Sequence, residues 1–399
     1  MYYSFKALTV VLLSLTLAAP TRFQPDSAAD RTAVKALVEA NTLFASDLYR
    51  QLKHAEGNVL FSSYGIAATL GMTAAGARGN TEREMRDALH FSSTLDPDAA
   101  YRELDRQLQS TDVENGQTLR IANGLCLTGG RVDEEFRSLL KDSYHAAIFS
   151  GGVGEINEWV YERTEGRIES IMEHIPSNTV CVLLSAISFS GSWKFRFEPS
   201  HTRDAQFQLS PGKQVLHPFM QQRGRFRLLE HAGFQAVSLP YRGDRLSMVM
   251  VLPKETHGLT ALENDLTAET LTRWLAQLNS ASPRIIDLSI PKFKLATDYD
   301  LVPACRSLGM NDAFLPDVAD FSGMGLPAGD LWIGQIKHKA YIDVNEEGTE
   351  AAAATGIGMQ TKSASRYPLF RADHPFLFLI RDNSSGSILF MGRLSRPTI

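Results

Sequence analysis

Side chains able to do enzymatic chemistry are numerous in this sequence, but none stands in a pattern that a catalytic site requires. The nucleophile elbow Gly-x-Ser-x-Gly, the phosphate loop ending in Lys-Ser/Thr and the zinc motif His-Glu-x-x-His are absent. Gly356-Ile357-Gly358 is only part of a glycine loop, because the third glycine and a following helix are missing. The ten histidines could be arranged in many ways, but the sequence gives no positive sign of an enzyme, a metal site or a cofactor.

Three arginines alternate with other residues in the middle of the chain. Arg223, Arg225 and Arg227 would share one face of a strand. Such a face would offer weak binding to a polyanion such as a glycosaminoglycan, but three charges are few, so a solvated strand face is the favoured interpretation. The formal net charge of −5 gives the whole protein no attraction to nucleic acid or to an anionic membrane.

The first 18 residues have the composition of a secretory signal peptide. Lys6 gives the start a positive charge, residues 7–17 are apolar, and Ala18 supplies a small residue for cleavage. A membrane anchor is the alternative, but the apolar run is short for a bilayer span. The sequence therefore predicts a secreted, extracellular protein with a mature chain of residues 19–399.

Cysteine and asparagine chemistry adds little. Cys126, Cys181 and Cys305 are too few and too far apart for a disulfide framework or a metal motif, so buried free thiols are expected. Asn383-Ser384-Ser385 is a glycosylation sequon in a predicted turn, which makes Asn383 a candidate acceptor.

Apolar periodicity indicates which elements would position a site. Helices are predicted early in the chain and strands dominate later, which is typical of an α+β protein. The predicted helices cover 30–50, 66–75, 81–89, 153–172 and 267–278, and the predicted strands cover 58–61, 119–127, 180–189, 234–239, 246–252, 285–295, 331–344, 375–380 and 388–394. The run Glu346-Glu347-Gly348-Thr349-Glu350-Ala351-Ala352-Ala353-Ala354-Thr355-Gly356-Ile357-Gly358 is too apolar for an ordinary linker and too small to bury much surface.

A series of motifs from about residue 32 to 397 resembles the serpin (serine protease inhibitor) family. Each alone would be weak, but their common order is highly specific. They are 61–66 (family Phe-Ser-Pro-x-x-Ile), 76–81 (Gly-Ala-x-Gly-x-Thr), 156–168 (a central helix signature), 189–193 (Phe-x-Gly-x-Trp), 308–322, 338–340 and 373–393 (a C-terminal signature).

The resemblance implies a single domain over 19–399, with three β-sheets, eight or nine helices and an exposed reactive loop at about 346–370. It implies a monomer that is not an enzyme and that traps a serine protease covalently. The trap closes when the cleaved loop enters the central sheet as a new strand; serpin loop insertion is a standard example of strand addition.

The small, apolar run 346–358 is similar to the part of such a loop called the hinge. If 349–357 became a strand, Thr349, Ala351, Ala353, Thr355 and Ile357 would form one column, expected to slide under a covering helix, while Glu350 would point to solvent. A proline would lack the N–H that a strand needs, and none occurs in 349–357. A flexible linker, the alternative interpretation, would tolerate proline. The assigned hinge residues are Glu346, Glu347, Gly348, Thr349, Glu350, Ala351, Ala352, Ala353, Ala354 and Thr355.

The same resemblance places the reactive bond. The family has its scissile residue seventeenth, counting the first hinge glutamate as one; starting at Glu346, this gives Lys362-Ser363. A lysine suits the acidic pocket of a trypsin-like protease. Arg366 is the alternative and would make the inserting arm four residues longer.

Two features depart from the family pattern. Ser185 stands where the family usually has asparagine, next to Ser62 and His338 in the region through which the sheet opens. The segment 144–159 is about ten residues shorter than expected, which predicts a shorter edge strand and covering helix. Both leave a non-inhibitory carrier or chaperone open as the alternative function.

Overall fold

The computed structural model describes residues 28–109, 117–129, 131–176, 179–349 and 367–399. These ranges contain nine α-helices and three short 3₁₀ helices. None of the described helices is long and apolar enough to cross a bilayer. The α-helices are α1 (Ala28–Leu52), α2 (Ser63–Ala75), α3 (Gly79–Ala88), α4 (Pro97–Gln109), α5 (Glu134–Tyr144), α6 (Val153–Arg163), α7 (Leu259–Asn264), α8 (Ala268–Ser280) and α9 (Val302–Ser307), and the 3₁₀ helices are Pro199–His201, Asp312–Phe314 and Ser322–Met324.

Fifteen strands lie in the same ranges. They are β1 (Val59–Phe61), β2 (Gln117–Leu127), β3 (Ala147–Phe149), β4 (Cys181–Ser192), β5 (Arg203–Ser210), β6 (Lys213–Glu230), β7 (Phe234–Pro240), β8 (Leu246–Pro253), β9 (Arg284–Pro291), β10 (Phe293–Asp300), β11 (Gln335–Val344), β12 (Gly348–Thr349), β13 (Leu369–Arg371), β14 (Phe376–Asp382) and β15 (Ile388–Leu394). Helices early and strands later confirm the predicted α+β class.

The strands pair into a six-stranded sheet and a nine-stranded one. The six-stranded sheet has the order β10-β11-β12-β4-β2-β3, and β11 also pairs directly with β4 in parallel. The nine-stranded sheet is two groups joined only through β6. Residues 213–226 of β6 pair with β5 and β9, while 227–230 pair with β7, which leads on to β8, β14, β15 and β1. The three predicted sheets are therefore present, with β6 shared by two of them.

The two faces of the six-stranded sheet are buried differently. Odd-numbered residues of β4, such as Leu183 and Ile187, join the main core. Even-numbered ones, such as Val182 and Leu184, join a smaller cluster with Ile156 and other residues of α6. Because both faces are covered, β4 is buried along almost its whole length.

Helix α6 is shorter than the sequence analysis predicted. It ends at Arg163, not Met172, and is followed by two residues with positive φ, Glu165 and Gly166. The amide of Asn157 then holds the next segment, because its Oδ1 accepts from the backbone N–H groups of Ile171 and Met172. The apolar residues of 164–172 therefore pack against the sheet as irregular chain.

Candidate functional site

The beginning of the hinge already lies in the six-stranded sheet. Gly348 and Thr349 form β12 between β11 and β4, where Thr349 pairs with Val344 on one side and Gly191 on the other. A Cβ atom at Gly348 would lie 2.0 Å from the carbonyl oxygen of Gly191, so only glycine fits there. The two central strands are thus parted at this end of the sheet and joined along the rest.

The orientation of Thr349 differs from the expectation. Its side chain is fully buried on the main-core face, and its hydroxyl lies 2.7 Å from the phenolic oxygen of Tyr241. The predicted covering helix, α6, packs on the opposite face. Thr349 therefore faces the core between the two sheets, and for this residue the expected position under the helix is wrong.

Two glutamates fix the base of the hinge. The Glu346 carboxylate accepts a hydrogen bond from the Thr202 hydroxyl at 2.7 Å and pairs with Lys292 at 2.8 Å. Burial would raise its pKa, but the bonds from Lys292 and Thr202 outweigh that effect and hold the pKa below its usual value. Glu347 pairs with Arg196 at 3.0 Å.

Backbone contacts complete this anchor. The Trp193 indole N–H donates to the carbonyl of Asn345, and the Trp193 backbone N–H donates to that of Glu347. Trp193 also stacks on Tyr241, with ring centroids 4.6 Å apart. Residues 345–347 are therefore held on a buried support by side-chain and backbone contacts.

The remaining loop assignments lie outside the described residues. These are the hinge positions Glu350, Ala351, Ala352, Ala353, Ala354 and Thr355, the reactive bond Lys362-Ser363 and the alternative Arg366. They stay predictions.

The structure brings the three predicted sheet-opening residues together. His338 lies opposite Ser185 in the pairing of β11 with β4. Its Nε2 accepts from the backbone N–H of Ser62 at 3.1 Å, while the Ser62 hydroxyl donates to Leu389 O and accepts from the Gly65 N–H. All three predicted residues are buried.

A fourth residue of this group was missed by the sequence analysis. Asn123 lies opposite Ser185 on the other side, in the pairing of β2 with β4. The Asn123 Oδ1, the Ser185 Oγ and the His338 Nδ1 are all buried without a hydrogen-bond partner. A row of three unsatisfied polar groups thus crosses the neighbouring strands β2, β4 and β11, and the serine is too short to bridge its neighbours.

The edge of this sheet is as short as predicted. Strand β3 has three residues and pairs only with 124–126 of β2. The 117–123 part of β2 has no outer strand among the described residues.

Comparison with known proteins agrees with this geometry. A family model described as "Serpin (serine protease inhibitor)" matches residues 39–397. The chain belongs to the serpin family. It is 36% identical over 382 residues to a leukocyte elastase inhibitor of Xenopus tropicalis, which covers 90% of this chain and 99% of the relative.

Solved serpin structures superpose over almost the whole chain. Serpin48 of the insect Tenebrio molitor, described as a highly specific serpin, has a TM-score of 0.80 and 29% identity, covering 94% of this chain and 100% of the other. Human thyroxine-binding globulin in complex with thyroxine has a TM-score of 0.82 and 27% identity, covering 92% and 100%. Family membership supports a protease inhibitor rather than a catalyst.

The other predicted sites have definite positions in this serpin. Asn383 is exposed, but its amide donates to Asp244 O at 2.9 Å and accepts from the Ser247 hydroxyl at 2.8 Å. Its glycosylation stays a prediction.

The three cysteines are free and buried, and burial raises the pKa of each thiol. No cluster of metal-ligating side chains occurs within the described part of the chain.

Replacing Ser185 with asparagine should stabilise this serpin. The longer amide can reach toward both Asn123 and His338, and satisfying one or two buried polar groups contributes about 1–3 kcal/mol. The melting temperature should then rise by a few degrees. Ser185→Ala is the matched control, because it removes the unsatisfied hydroxyl without adding a bridge. A lower melting temperature for Ser185→Asn than for wild type would contradict the account.

The stability of this serpin should fall as the pH drops below about 6.5. Burial lowers the pKa of His338 to about 3, and the nearby Ser185 backbone offsets only part of that effect. The unfolded chain therefore takes up a proton between pH 6.5 and 3 that the folded chain cannot take up, which favours unfolding throughout this window. At pH 5 the cost relative to pH 7.5 is about 2 kcal/mol. Urea midpoints at both pH values should show this difference in wild type and lose it in His338→Gln; equal pH slopes would refute it.

Proposed function

We propose that this serpin is a secreted suicide inhibitor of trypsin-like serine proteases that acts by inserting its reactive loop into the six-stranded sheet. The position of Gly348 and Thr349 carries the proposal. These two residues are already paired between β11 and β4. A cleaved loop would therefore extend an existing strand, starting from the end of the sheet where β11 and β4 are already parted, and would separate the remaining β4–β11 pairs as it advances.

The proposed reaction begins at the Lys362-Ser363 bond and ends with insertion of the loop. The serine of the protease attacks the carbonyl carbon of Lys362 and displaces the amino group of Ser363, leaving an acyl-enzyme. The freed loop continues β12 from Thr349 toward the other end of the sheet, separating the β4–β11 pairs. About ten residues of backbone gain hydrogen bonds, each worth about 1 kcal/mol net. The attached protease is carried along and its active site is distorted before water can release it.

The alternative is a non-inhibitory carrier that proteases simply cleave. The unsatisfied row at Ser185 and the short β3 favour it, because both concern the sheet that must expand. A solved structural neighbour, thyroxine-binding globulin, binds the small molecule thyroxine. The small-residue hinge and the preformed β12 favour the inhibitor.

Incubation with trypsin separates the two functions. An inhibitor gives a complex that survives boiling in denaturant, and the released peptide begins at Ser363. Cleaved inhibitor should also melt well above intact protein, because the inserted strand stabilises the sheet. Cleavage without a complex and without a rise in melting temperature would support the carrier.

Secretion and glycosaminoglycan binding are further parts of the proposal. When the protein is expressed in a secreting cell, the protein recovered from the culture medium should begin at Ala19; retention in the cell would refute the signal peptide.

Glycosaminoglycan binding should be weak, because Arg223 pairs with Asp287 and Arg227 donates to the carbonyls of Asn279 and Ala281. Elution from a heparin column at low salt is expected.

A further inference from the structure

A groove of about 680 Å³ runs along the surface between α1 and α8. Its floor is formed by Arg381, near the end of β14, and by the turn at Ser385 and Gly386. The α8 wall includes Thr272 and Ala276. The α1 wall is a stripe at helical spacing, made of Lys35, Val38, Glu39, Thr42 and Leu43. Neither β4 nor β11 lines the groove, so the inserting loop does not occupy it.

Apolar surface of the groove is open to solvent. The Leu43 side chain is 41% exposed, and Ala276 on the facing helix is exposed as well. Each helix also places one carboxylate on the rim: Glu39 is 3.8 Å from Lys35, and Glu269 is 3.8 Å from Arg273. Exposed pairs of this kind contribute little, so either carboxylate can change its partner. The groove therefore suits an apolar side chain with a positive charge beside it.

The floor of the groove holds a buried hydrogen-bond donor that is not used. Arg381 is 6% exposed, and its Nε makes no hydrogen bond to the described part of the chain. Its guanidinium lies near Val38, because a Cβ atom at Gly386 would be 3.8 Å from Val38 Cγ1 and 3.9 Å from Arg381 Nη2. An unpaired donor on a buried charged group destabilises the fold. An occupant of the groove should therefore bring an oxygen atom to this point.

The residues that precede α1 have the length and composition to reach this point. Ser27 is a preferred N-cap residue, at which a chain leaves the helical path and can turn back. Pro25 restricts the residue before it to extended conformations. Phe23 is five residues before Ala28, so an extended chain carries it up to about 17 Å from the start of α1. Val38 is ten residues into that helix, or about 15 Å from its start.

Charge and hydrogen bonding agree with a segment laid along the groove. Arg22 directly precedes Phe23, so in an extended chain its side chain points away from the groove floor when the phenyl ring points into it. At the rim Arg22 can pair with Glu39 or Glu269. Backbone carbonyls that enter an apolar groove need donors, and the Nε of Arg381 supplies one.

We propose that the groove between α1 and α8 is the docking site for residues 19–27 of the same chain. Phe23 is the anchor and packs beside Val38, while a backbone carbonyl of the segment accepts from Arg381. The docked segment closes the groove to other molecules. The proposal rests neither on protease inhibition nor on removal of residues 1–18.

The rate at which iodoacetamide alkylates an Ala276→Cys variant of the full-length chain tests the proposal. The three native thiols are buried, so the rate reports the introduced cysteine. A short tether gives the segment an effective concentration on the order of 1 mM, and a single aromatic anchor gives a Kd on the order of 0.1 mM. The groove is then open about a tenth of the time. Adding Phe23→Ser should therefore raise the alkylation rate about tenfold.

Two further variants serve as controls. Residue 277 is exposed on the same helix but lies outside the groove, so the alkylation rate of a Gln277→Cys variant should not change with Phe23→Ser. Phe23→Leu keeps an apolar anchor and should retain most of the protection at residue 276. Equal rates at residue 276 with and without Phe23→Ser overturn the proposal. Two fast rates would mean that the groove is open, and two slow rates that another occupant, such as a small organic acid, fills it.

Discussion

Replacing Lys362 with glutamate should slow the inhibition of trypsin by about 10²–10⁴-fold. The protease pocket places a carboxylate against the bound lysine, so the substitution removes the pairing and puts two like charges together. Breaking a buried ion pair costs about 3–5 kcal/mol, which corresponds to that range of rate. Lys362→Arg should retain inhibition, because the guanidinium fits the same pocket. The measurement is the second-order rate constant for loss of trypsin activity.

The matched control is Arg366→Ala. If the reactive bond is Lys362-Ser363, this variant inhibits at the rate of the wild type. The reverse result, in which Arg366→Ala loses inhibition and Lys362→Glu retains it, would move the reactive bond to Arg366-Tyr367. The inserting arm would then be four residues longer. If the wild type and both variants all fail to form a complex with trypsin, the result would count against a trypsin-like target.

The sequence was sufficient for elements with a strong apolar period and clear end signals. Helix α8 was predicted over 267–278 and is found over Ala268–Ser280, with Thr267 capping it through the N–H of Thr270. Helix α6 was predicted too long because the apolar spacing continues beyond its end. The chain leaves the helix at Thr164 through two positive-φ residues, and Glu165 is not a residue type that signals such a conformation.

Which strands are neighbours in the sheet, and which face a side chain takes, could not be predicted from the sequence. Asn123 belongs beside Ser185 only because β2 and β4 are neighbours in one register, and asparagine in a strand carries no sign of its partner. The sequence predicts that the hinge side chains alternate between the two faces of a strand, but alternation does not say which column faces which layer. That assignment needed the contact with Tyr241 on the main-core face. Ser62, Ser185 and His338 were found because family motifs mark their surroundings.

Replacing Thr349 with arginine should turn the proposed inhibitor into a substrate. Thr349 is paired with Val344 on one side and Gly191 on the other, and its side chain is fully buried in the main core. An arginine there would bury an unpaired charge at a cost of several kcal/mol, so β12 should be expelled from between β11 and β4 in the intact protein, and insertion after cleavage would have to meet that cost before later residues contribute. The protease should still cut the loop, because the reactive bond is unchanged. Insertion should then be too slow to trap the acyl-enzyme.

The expected readout is the number of inhibitor molecules consumed per trypsin molecule inactivated, which should rise at least about tenfold, since 1.4 kcal/mol in the insertion barrier already shifts the partition that much. Thr349→Val is the control: it keeps the shape and loses only the hydrogen bond to Tyr241, so it should remain an inhibitor. Thr349→Arg should also fail to gain melting temperature after cleavage. An arginine variant that traps trypsin with unchanged stoichiometry would mean that the strand does not enter the core face at this position. The structural basis proposed for inhibition would then be wrong even if the protein inhibits.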